Sequence, residues 1–296
     1  MPLAWAATLL YTLARLIDYA DGYVARVTGS ESSLGAILDI EFDGLGLLIA
    51  VLLAIQYGLM PLWYLPLALA RQLFVLGLWL RTRRGLAVYP LPDSDNRRLI
   101  AGYQTGFLAV VLWPIFGPPL TLLASVLFAI PLAFSFGRDW LVVSGVLDPQ
   151  SDQYARGRQL IKTFFEGWLP FVARIIGAWL AAMLLWRMAP TFEAWGDYLA
   201  SLGAANPDQL ARIFAGLFAL AWLPFLLGIV GRLSGLIILG MACLDVLSVG
   251  LLWHENGWLF VCAAIVLHLG SGRFALWRPE DAILRRRWGG PREDSP

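Results

Sequence analysis

Four aspartates near the start of the chain have the residue type and the spacing of a divalent-metal site. Asp18 and Asp21 lie three residues apart, and Asp39 and Asp43 lie four residues apart, so each pair shares one face of a helix. Carboxylates that converge without basic neighbours repel one another unless cations lie between them, and Mg²⁺ selects such oxygen ligands. Glu41 falls off the shared face and is left out of the ligand set. The alternative interpretation is that the acids are interfacial charges at helix ends.

Small residues and one arginine extend the same helix faces. Gly22 and Ala25 follow Asp18 by four and seven residues, so they leave the wall beside the acids flat. A ring or a sugar can approach the backbone there, and Arg26 supplies a fixed positive charge that suits phosphate oxygens. Gly35 faces this wall from the second helix. The pattern therefore favours a phosphorylated ligand that carries a ring or a sugar.

The elements that position these residues are predicted to be membrane-spanning helices. The chain has 296 residues, of which 59% are hydrophobic and 15% are charged, whereas soluble domains contain about 45–50% apolar and about 25% charged residues. A helix needs about 20 mostly apolar residues to cross the hydrocarbon core. We therefore predict an all-α polytopic membrane protein with about nine spans. The predicted spans are residues 3–25, 35–57, 60–80, 99–116, 118–137, 164–186, 208–230, 233–253 and 256–271.

Charge placement predicts how the helices are oriented. With the spans threaded alternately, sixteen basic residues fall on one side of the membrane, and only Arg187 and Arg212 fall on the other. The positive-inside rule makes the first side cytoplasmic. We therefore predict an N-terminus outside, a C-terminus inside and acids near the cytoplasmic face of a bacterial inner membrane. The sixteen are Arg81, Arg83, Arg84, Arg97, Arg98, Arg138, Arg156, Arg158, Lys162, Arg232, Arg273, Arg278, Arg285, Arg286, Arg287 and Arg292.

The composition excludes several other kinds of site and partner. The net charge is +1, which gives no electrostatic basis for binding a nucleic acid. Cys243 and Cys262 are too few for a disulfide framework, and with His254 and His268 they lack the spacing of a zinc or haem site. Residues 3–25 have no basic n-region and no cleavage site, so they predict a membrane span rather than a signal peptide.

The acidic motif resembles the signature of the CDP-alcohol phosphotransferases, also called CDP-alcohol phosphatidyltransferases. That signature is D-x2-D-G-x2-A-R-x8-G-x3-D-x3-D, and the resemblance extends over residues 1–145. It implies a helical membrane enzyme of phospholipid biosynthesis. Such an enzyme transfers a phosphatidyl or similar phosphoalcohol group from a CDP-linked lipid donor to an acceptor alcohol and releases CMP. All eight specified positions match, and the residues are Asp18, Asp21, Gly22, Ala25, Arg26, Gly35, Asp39 and Asp43.

The resemblance also implies a role for each motif residue. Asp18, Asp21 and Asp39 would hold two divalent metal ions, Mg²⁺ or Mn²⁺. Asp43 would be the general base and would also touch a metal. Metal ions that bridge a diphosphate make CMP a better leaving group, and the base accepts the proton of the attacking hydroxyl. The residues that would line the cytidine and diphosphate site are Gly22, Ala25, Arg26 and Gly35.

Two arginines beyond the motif are predicted to bind the acceptor. Arg71 looks like a basic position in the family's following helix, and Arg98 lies in a run similar to its next basic loop. Family members with phosphorylated acceptors carry basic residues there, so both arginines are expected to bind an acceptor phosphate. The alternative is that Arg97 and Arg98 only anchor the chain at the cytoplasmic face and that Arg71 snorkels to the interface.

The chain departs from the family at its first helix. Family members place one full span and an amphipathic lead-in before the motif helix, whereas seventeen residues precede Asp18. We therefore expect residues 1–147 to form a CDP-alcohol phosphotransferase-like membrane domain without the family's first helix. A homodimer is usual in the family. Residues 148–163 are predicted to be a cytoplasmic linker, and residues 279–296 a charged cytoplasmic tail.

Residues 164–278 are predicted to form a separate four-helix membrane domain. Its four spans and the closing segment, residues 270–276, look like those of DoxX-like membrane proteins, which are small helical bundles associated with membrane redox complexes. Arg174 and Asp245 lie within its spans, and we expect an ion pair between them to hold the bundle together, with a functional site as the alternative. His268 is interpreted as an interfacial histidine rather than a metal ligand.

Two other functions fit parts of the sequence. A UbiA-type prenyltransferase also uses Asp-rich helices and Mg²⁺, but its two acidic motifs lie far apart, whereas the four aspartates here lie within 26 residues. The other alternative is a non-catalytic membrane scaffold, or a protein associated with a redox complex, that retains the motif. The acceptor alcohol stays open among glycerol phosphate, inositol phosphate, serine and others.

Overall fold

Helices form the regular structure of the described chain. The computed structural model describes residues 2–28, 33–92 and 95–279. Within these ranges it contains α-helices, short 3₁₀ and π segments and an isolated bridge between Ile229 and Trp277, but no strand. The all-α prediction is confirmed. The helices are α1 (Pro2–Thr28), α2 (Ser33–Gln56), α3 (Leu65–Ala68), α4 (Ala70–Arg83), α5 (Asp95–Val111), α6 (Leu120–Val143), α7 (Asp152–Lys162), α8 (Leu169–Trp186), α9 (Met188–Ser201), α10 (Pro207–Leu227), α11 (Gly231–Val249) and α12 (Trp258–Leu269).

The chain divides into two units, which we call unit 1 (Met1–Asp148) and unit 2 (Pro149–Pro296). Helices α1 to α6 belong to unit 1, and α7 to α12 belong to unit 2. The predicted linker is largely helical, because α7 occupies most of it and continues through a π segment into α8. The hydroxyl of Ser151 caps α7 by accepting a hydrogen bond from the backbone N–H of Tyr154 at 3.2 Å.

Four helical stretches in the described part of the chain are long and apolar enough to cross a membrane. They are α6, the continuous stretch Asp152–Trp186, α10 and α11. The pair α3 and α4, with the 3₁₀ turn before it, is bent by 59° and makes a fifth if it is one span. The other four predicted spans are helical but fall short of this measure. Helices α1 and α2 carry the charged motif, and α5 and α12 are shorter.

Contacts within unit 1 hold α1 against the end of α5. The hydroxyl of Thr8, which is 1% exposed, donates a hydrogen bond to the backbone carbonyl of Leu112 at 2.6 Å. The rings of Phe107 and Phe128 stack with their centroids 4.5 Å apart and link α5 to α6. Tyr64 is fully buried against Phe107. Aromatic burial of this kind dominates helix packing energies, so packed rings join α5 to α6, and α1 contacts the end of this α5 helix through Thr8.

Arg174 and Asp245 belong to two separate hydrogen-bond networks in unit 2, and the predicted ion pair between them is wrong. Arg174 is 1% exposed and donates to the backbone carbonyl of Ser271 at 2.9 Å. Asp245 accepts from the indole N–H of Trp195 at 3.1 Å and from the amide of Asn256 at 2.9 Å. Each buried charge therefore has neutral hydrogen-bond partners, although the Nε of Arg174 is buried without one. Within the described residues no ion pair joins the two side chains.

The closing segment, residues 270–276, is built into unit 2. The backbone N–H of Leu276 donates to the carbonyl of Leu227, at the end of α10, at 3.1 Å. Gly272 has a φ of +69°, and a Cβ there would lie 2.6 Å from the backbone nitrogen of Phe171 in α8. The chain can pass this close to α8 only without a side chain at that position.

Candidate active site

The motif residues lie on α1 and α2, the first two helices of unit 1. Asp18 and Asp21 are in the second half of α1, and Asp43 is near the middle of α2. Ala and Leu recur along both helices and favour helix formation, so the acids are carried on regular elements. The surroundings of five predicted site residues lie outside the described part of the structure, and these are Gly22, Ala25, Arg26, Asp39 and Arg98.

Arg15 brings Asp18 and Asp43 to one point between the two helices. Its Nη1 donates a hydrogen bond to Oδ1 of Asp43 and lies 3.7 Å from Oδ2 of Asp18. The Arg15 side chain is 20% exposed, against 35% for Asp18 and 46% for Asp43. The guanidinium is therefore the inner member of the group, and carboxylates from two consecutive helices converge on one cation.

The contacts of Arg15 explain why sequence reasoning missed its place in the site. Its spacing of three residues from Asp18 is a visible signal of pairing along α1. Its contact with Asp43 depends on how α1 and α2 pack, which the spacing does not show. The guanidinium packs beside α2 at Gly46, where a Cβ would lie 3.5 Å from Nη2 of Arg15, an ordinary van der Waals distance. The ring of Tyr11 lies 5.8 Å from the guanidinium carbon.

The structure brings together two of the four predicted metal ligands. Asp21 and Gly35 are exposed. Among the described side chains no group of three or more His, Cys, Asp or Glu residues could hold a metal ion as it stands. The donor chemistry nevertheless fits a divalent cation, because Asp18 and Asp43 offer only oxygen atoms and meet where a positive charge already lies. Asp21 shares the helix face of Asp18.

Arg71 lies beside the motif helix, where it pairs with Glu41. Its Nη2 is 2.9 Å from Oε1 of Glu41, and the two side chains are 41% and 57% exposed. Next to this pair, α2 and α4 come close at Gly44, where a Cβ would lie 3.1 Å from the side-chain amide of Gln72. Arg71, which is predicted to bind the acceptor, therefore contacts α2 through Glu41. Glu41 is not among the predicted metal ligands.

The neighbouring basic run is tied to α6. Nε of Arg97 lies 3.7 Å from Oδ2 of Asp139, and Nε of Arg138 lies 3.7 Å from its Oδ1. The Asp139 side chain is 7% exposed, so these arginines neutralise a buried acid that would otherwise be costly. Arg97 also donates to the backbone carbonyl of Pro92. This geometry gives Arg97 a structural partner inside unit 1.

Helices that carry carboxylates and arginines into an apolar bundle define unit 1 as a helical membrane domain with a polar site near its first two helices. Comparison with known proteins gives a match to one protein family over part of this unit. Residues 3–137 match the family model described as CDP-alcohol phosphatidyltransferase. This match confirms the resemblance predicted from the motif, and it falls within unit 1.

Curated relatives with related names match parts of the chain. A Cereibacter sphaeroides protein named CDP-diacylglycerol–glycerol-3-phosphate 3-phosphatidyltransferase is 42% identical over 77 residues, which are 25% of this chain and 35% of that protein. A Bacillus subtilis protein of the same name is 32% identical over 73 residues, covering 25% and 38%. A Mycobacterium bovis protein provisionally named a cardiolipin synthase is 30% identical over 109 residues, covering 36% and 51%.

The matches are partial. The chain spans between 35% and 51% of the length of these curated relatives. No solved structure matches the chain significantly. The family match therefore extends over residues 3–137, and the resemblance of the second half to DoxX-like proteins stays a prediction.

Proposed function

We propose that the protein transfers a phosphatidyl or similar phosphoalcohol group from a CDP-linked donor to an acceptor alcohol and releases CMP, in phospholipid biosynthesis. The observation that carries the proposal is the convergence of Asp18 and Asp43 from two consecutive helices, within the region that matches the family. Carboxylates placed at membrane depth are costly and usually serve a site.

The proposed reaction assigns a proton acceptor to the site. The acceptor hydroxyl oxygen attacks the β-phosphorus of the CDP-linked donor and forms a new phosphorus–oxygen bond. The bond from that phosphorus to the bridging oxygen breaks, and CMP leaves with the oxygen. Asp43 accepts the hydroxyl proton, a role that contributes typically 10²–10⁴-fold to the rate. Its 46% exposed side chain is open to a bound substrate.

The proposal includes a site for Mg²⁺ or Mn²⁺. Asp18, Asp21, Asp39 and Asp43 are the residues that would hold the metal, with Arg26, Gly22, Ala25 and Gly35 beside the nucleotide. A bound divalent metal neutralises the diphosphate and improves the leaving group. Support comes from the oxygen-only donor set and from the two carboxylates that already meet at one cation.

The acceptor is proposed to be a phosphorylated alcohol bound by Arg71. The relatives whose names include glycerol 3-phosphate favour this class, and so does the position of Arg71 beside the motif helix. Because both members of the Arg71–Glu41 pair are at least 41% exposed, the pair is weak, and a phosphate can replace the carboxylate as the partner of the guanidinium. Arg98 is proposed as a second phosphate ligand.

We propose that the chain crosses a bacterial inner membrane nine times. The N-terminus lies outside, the C-terminus lies inside and the site faces the cytoplasm. The distribution of basic residues in the sequence supports it. Unit 1 is proposed to be the catalytic domain and unit 2 a DoxX-like bundle, with a homodimer as the assembly.

The test is CMP release by the purified full chain in detergent with CDP-diacylglycerol. Mg²⁺ or Mn²⁺ is supplied or withheld, and the acceptors are glycerol 3-phosphate, inositol phosphate and serine. We expect release that requires both metal and one acceptor. Asp43→Asn is expected to lower the rate at least about 100-fold, because the base is removed. Asp152→Asn, the same change at an exposed acid of α7, is expected to leave the rate unchanged.

Two results would contradict the proposal. One is a folded protein that is silent with every acceptor, which would favour the scaffold alternative. The other is release that persists unchanged in Asp43→Asn, or in Asp39→Asn, since both residues belong to the proposed machinery. Insertion of each variant into membranes is checked by fractionation, so that a loss of activity is separated from a loss of protein.

A further inference from the structure

We propose that Arg15 is a positioning residue that takes the place of metal charge in the metal-free protein, and that a divalent cation must displace it to bind. The inference rests on the proposed function, because it concerns the same aspartates. It starts from the position of the guanidinium between Asp18 and Asp43, each on a different helix.

The charge balance of the site explains why a positive residue lies there. Asp18 and Asp43 would repel one another across α1 and α2 if no cation stood between them, and the repulsion is strong where water is partly excluded. Arg15 is 20% exposed, so its charge acts from the inner side of the group. It holds the two carboxylates at one point, which is the arrangement that a metal ion needs.

The guanidinium is held loosely enough to be displaced. Within the described part of the structure its ion-pair partners are the carboxylates of Asp43 and Asp18. Arg174 in unit 2 shows the contrasting arrangement, with backbone carbonyls of Ser271 and Arg273 as acceptors at 2.9 and 3.1 Å. Backbone carbonyls therefore hold the guanidinium of Arg174, whereas the guanidinium of Arg15 is held by carboxylates that a metal ion would also bind.

The test measures metal affinity rather than turnover. Mn²⁺ is titrated into the purified full chain in detergent, and free Mn²⁺ is followed by its electron paramagnetic resonance signal. Arg15→Met keeps a long side chain but removes the competing charge. It is expected to tighten Mn²⁺ binding about threefold to fivefold, the upper part of the scale of a partly exposed ion pair. It should also lower the melting temperature without metal and enlarge the rise in melting temperature on adding Mn²⁺.

Two controls separate charge from packing. Arg15→Lys retains the charge and is expected to stay within about twofold of the wild-type affinity. Arg83→Met removes a unit 1 arginine that lies over the ring of Trp79 at 4.2 Å, away from the predicted ligands, and should leave Mn²⁺ binding unchanged. If Arg15→Met does not fold, Arg15→Gln is measured in its place and judged by the same outcomes.

The outcomes distinguish this inference from the proposed function. Tighter binding in Arg15→Met supports it. Unchanged or weaker binding in Arg15→Met, with normal binding by the wild type, overturns the role of Arg15 and leaves the metal site standing. Absence of Mn²⁺ binding in both proteins overturns the metal dependence in the proposed function, and the role of Arg15 with it.

Discussion

At the scale of single residues, the charged side chains of unit 1 differ in how firmly their partners hold them. Arg97 neutralises the buried carboxylate of Asp139, and such a pair is costly to break. Arg71 and Glu41 form a pair that is exposed on both sides, and exposed pairs contribute about 0–1 kcal/mol. Little free energy is therefore lost when Arg71 leaves Glu41 to bind an anionic acceptor.

Arg71→Ala is expected to raise the KM for a phosphorylated acceptor about tenfold or more and to leave the KM for CDP-diacylglycerol within about twofold. The physical reason is the loss of a hydrogen bond to a charged group, worth about 1.5–3 kcal/mol. Steady-state CMP release with each substrate varied in turn measures both constants. Arg83→Ala is the matched control, because Arg83 rests on Trp79. Equal changes in both constants would remove Arg71 from the acceptor pocket.

The sequence predicted part of this residue-scale arrangement. Helical spacing places Asp18 and Asp43 on α1 and α2, because the period of a helix is fixed. The contact of Arg15 with Asp43 and the partners of Asp245 could not be predicted, since they depend on how helices pack. Asp245 is the clearer failure, because an acid and an arginine within spans suggest a pair, whereas Trp195 and Asn256 supply its hydrogen bonds.

At the scale of elements, unit 2 is closed by a segment without regular secondary structure. The segment 270–276 follows α12 and hydrogen-bonds to the end of α10. The small residues of this segment are visible in the sequence. Its packing against α8 could not be predicted, because a close approach of two backbones leaves no periodic pattern in the sequence. Helix α9 was likewise unpredicted, since residues 187–207 are polar and aromatic, although Met188–Ser201 is helical.

Gly272→Ala is expected to destabilise the protein by about 3 kcal/mol, since it combines backbone strain with a collision at Phe171. Gly203→Ala is the matched control. Gly203 has a φ of +84° with nothing within 4 Å of the added carbon, so it should cost only the strain of about 1–2 kcal/mol. Denaturant unfolding in detergent, followed by tryptophan fluorescence, measures both. Equal losses would show that the closing segment tolerates a side chain at position 272.

At the scale of the whole molecule, the chain joins unit 1, which contains the family match over residues 3–137, to unit 2, which lies outside that match. The overall helical class follows from composition, because long apolar runs without alternation favour helices. The number of spans does not follow as directly. Helices α1 and α2 carry charged residues, and α5 and α12 are short. Within the described residues, none of the four therefore has both the length and the hydropathy of a membrane span, although the sequence predicts each to be one.

Cysteine labelling tests the proposed orientation. Gln153→Cys in α7 and Ala205→Cys between α9 and α10 are both exposed positions. Positive-inside placement predicts that a membrane-impermeant maleimide labels Ala205→Cys in intact cells and labels Gln153→Cys only after permeabilisation. The unsubstituted chain, which contains Cys243 and Cys262, gives the background. Labelling of both positions from the same side would contradict the orientation.

The contact between Arg15 and Asp43 also bears on the order in which the protein assembles. Its partners are 28 residues apart along the chain, whereas the contact of Thr8 with Leu112 spans 104 residues. Closing a short loop costs less entropy than closing a long one, and domains form progressively as the chain is synthesised. The contact between α1 and α2 can therefore form while α5 is still unsynthesised. Asp18 and Asp43 come together early in biogenesis, and the rest of unit 1 assembles around two helices that a charge pair has already joined.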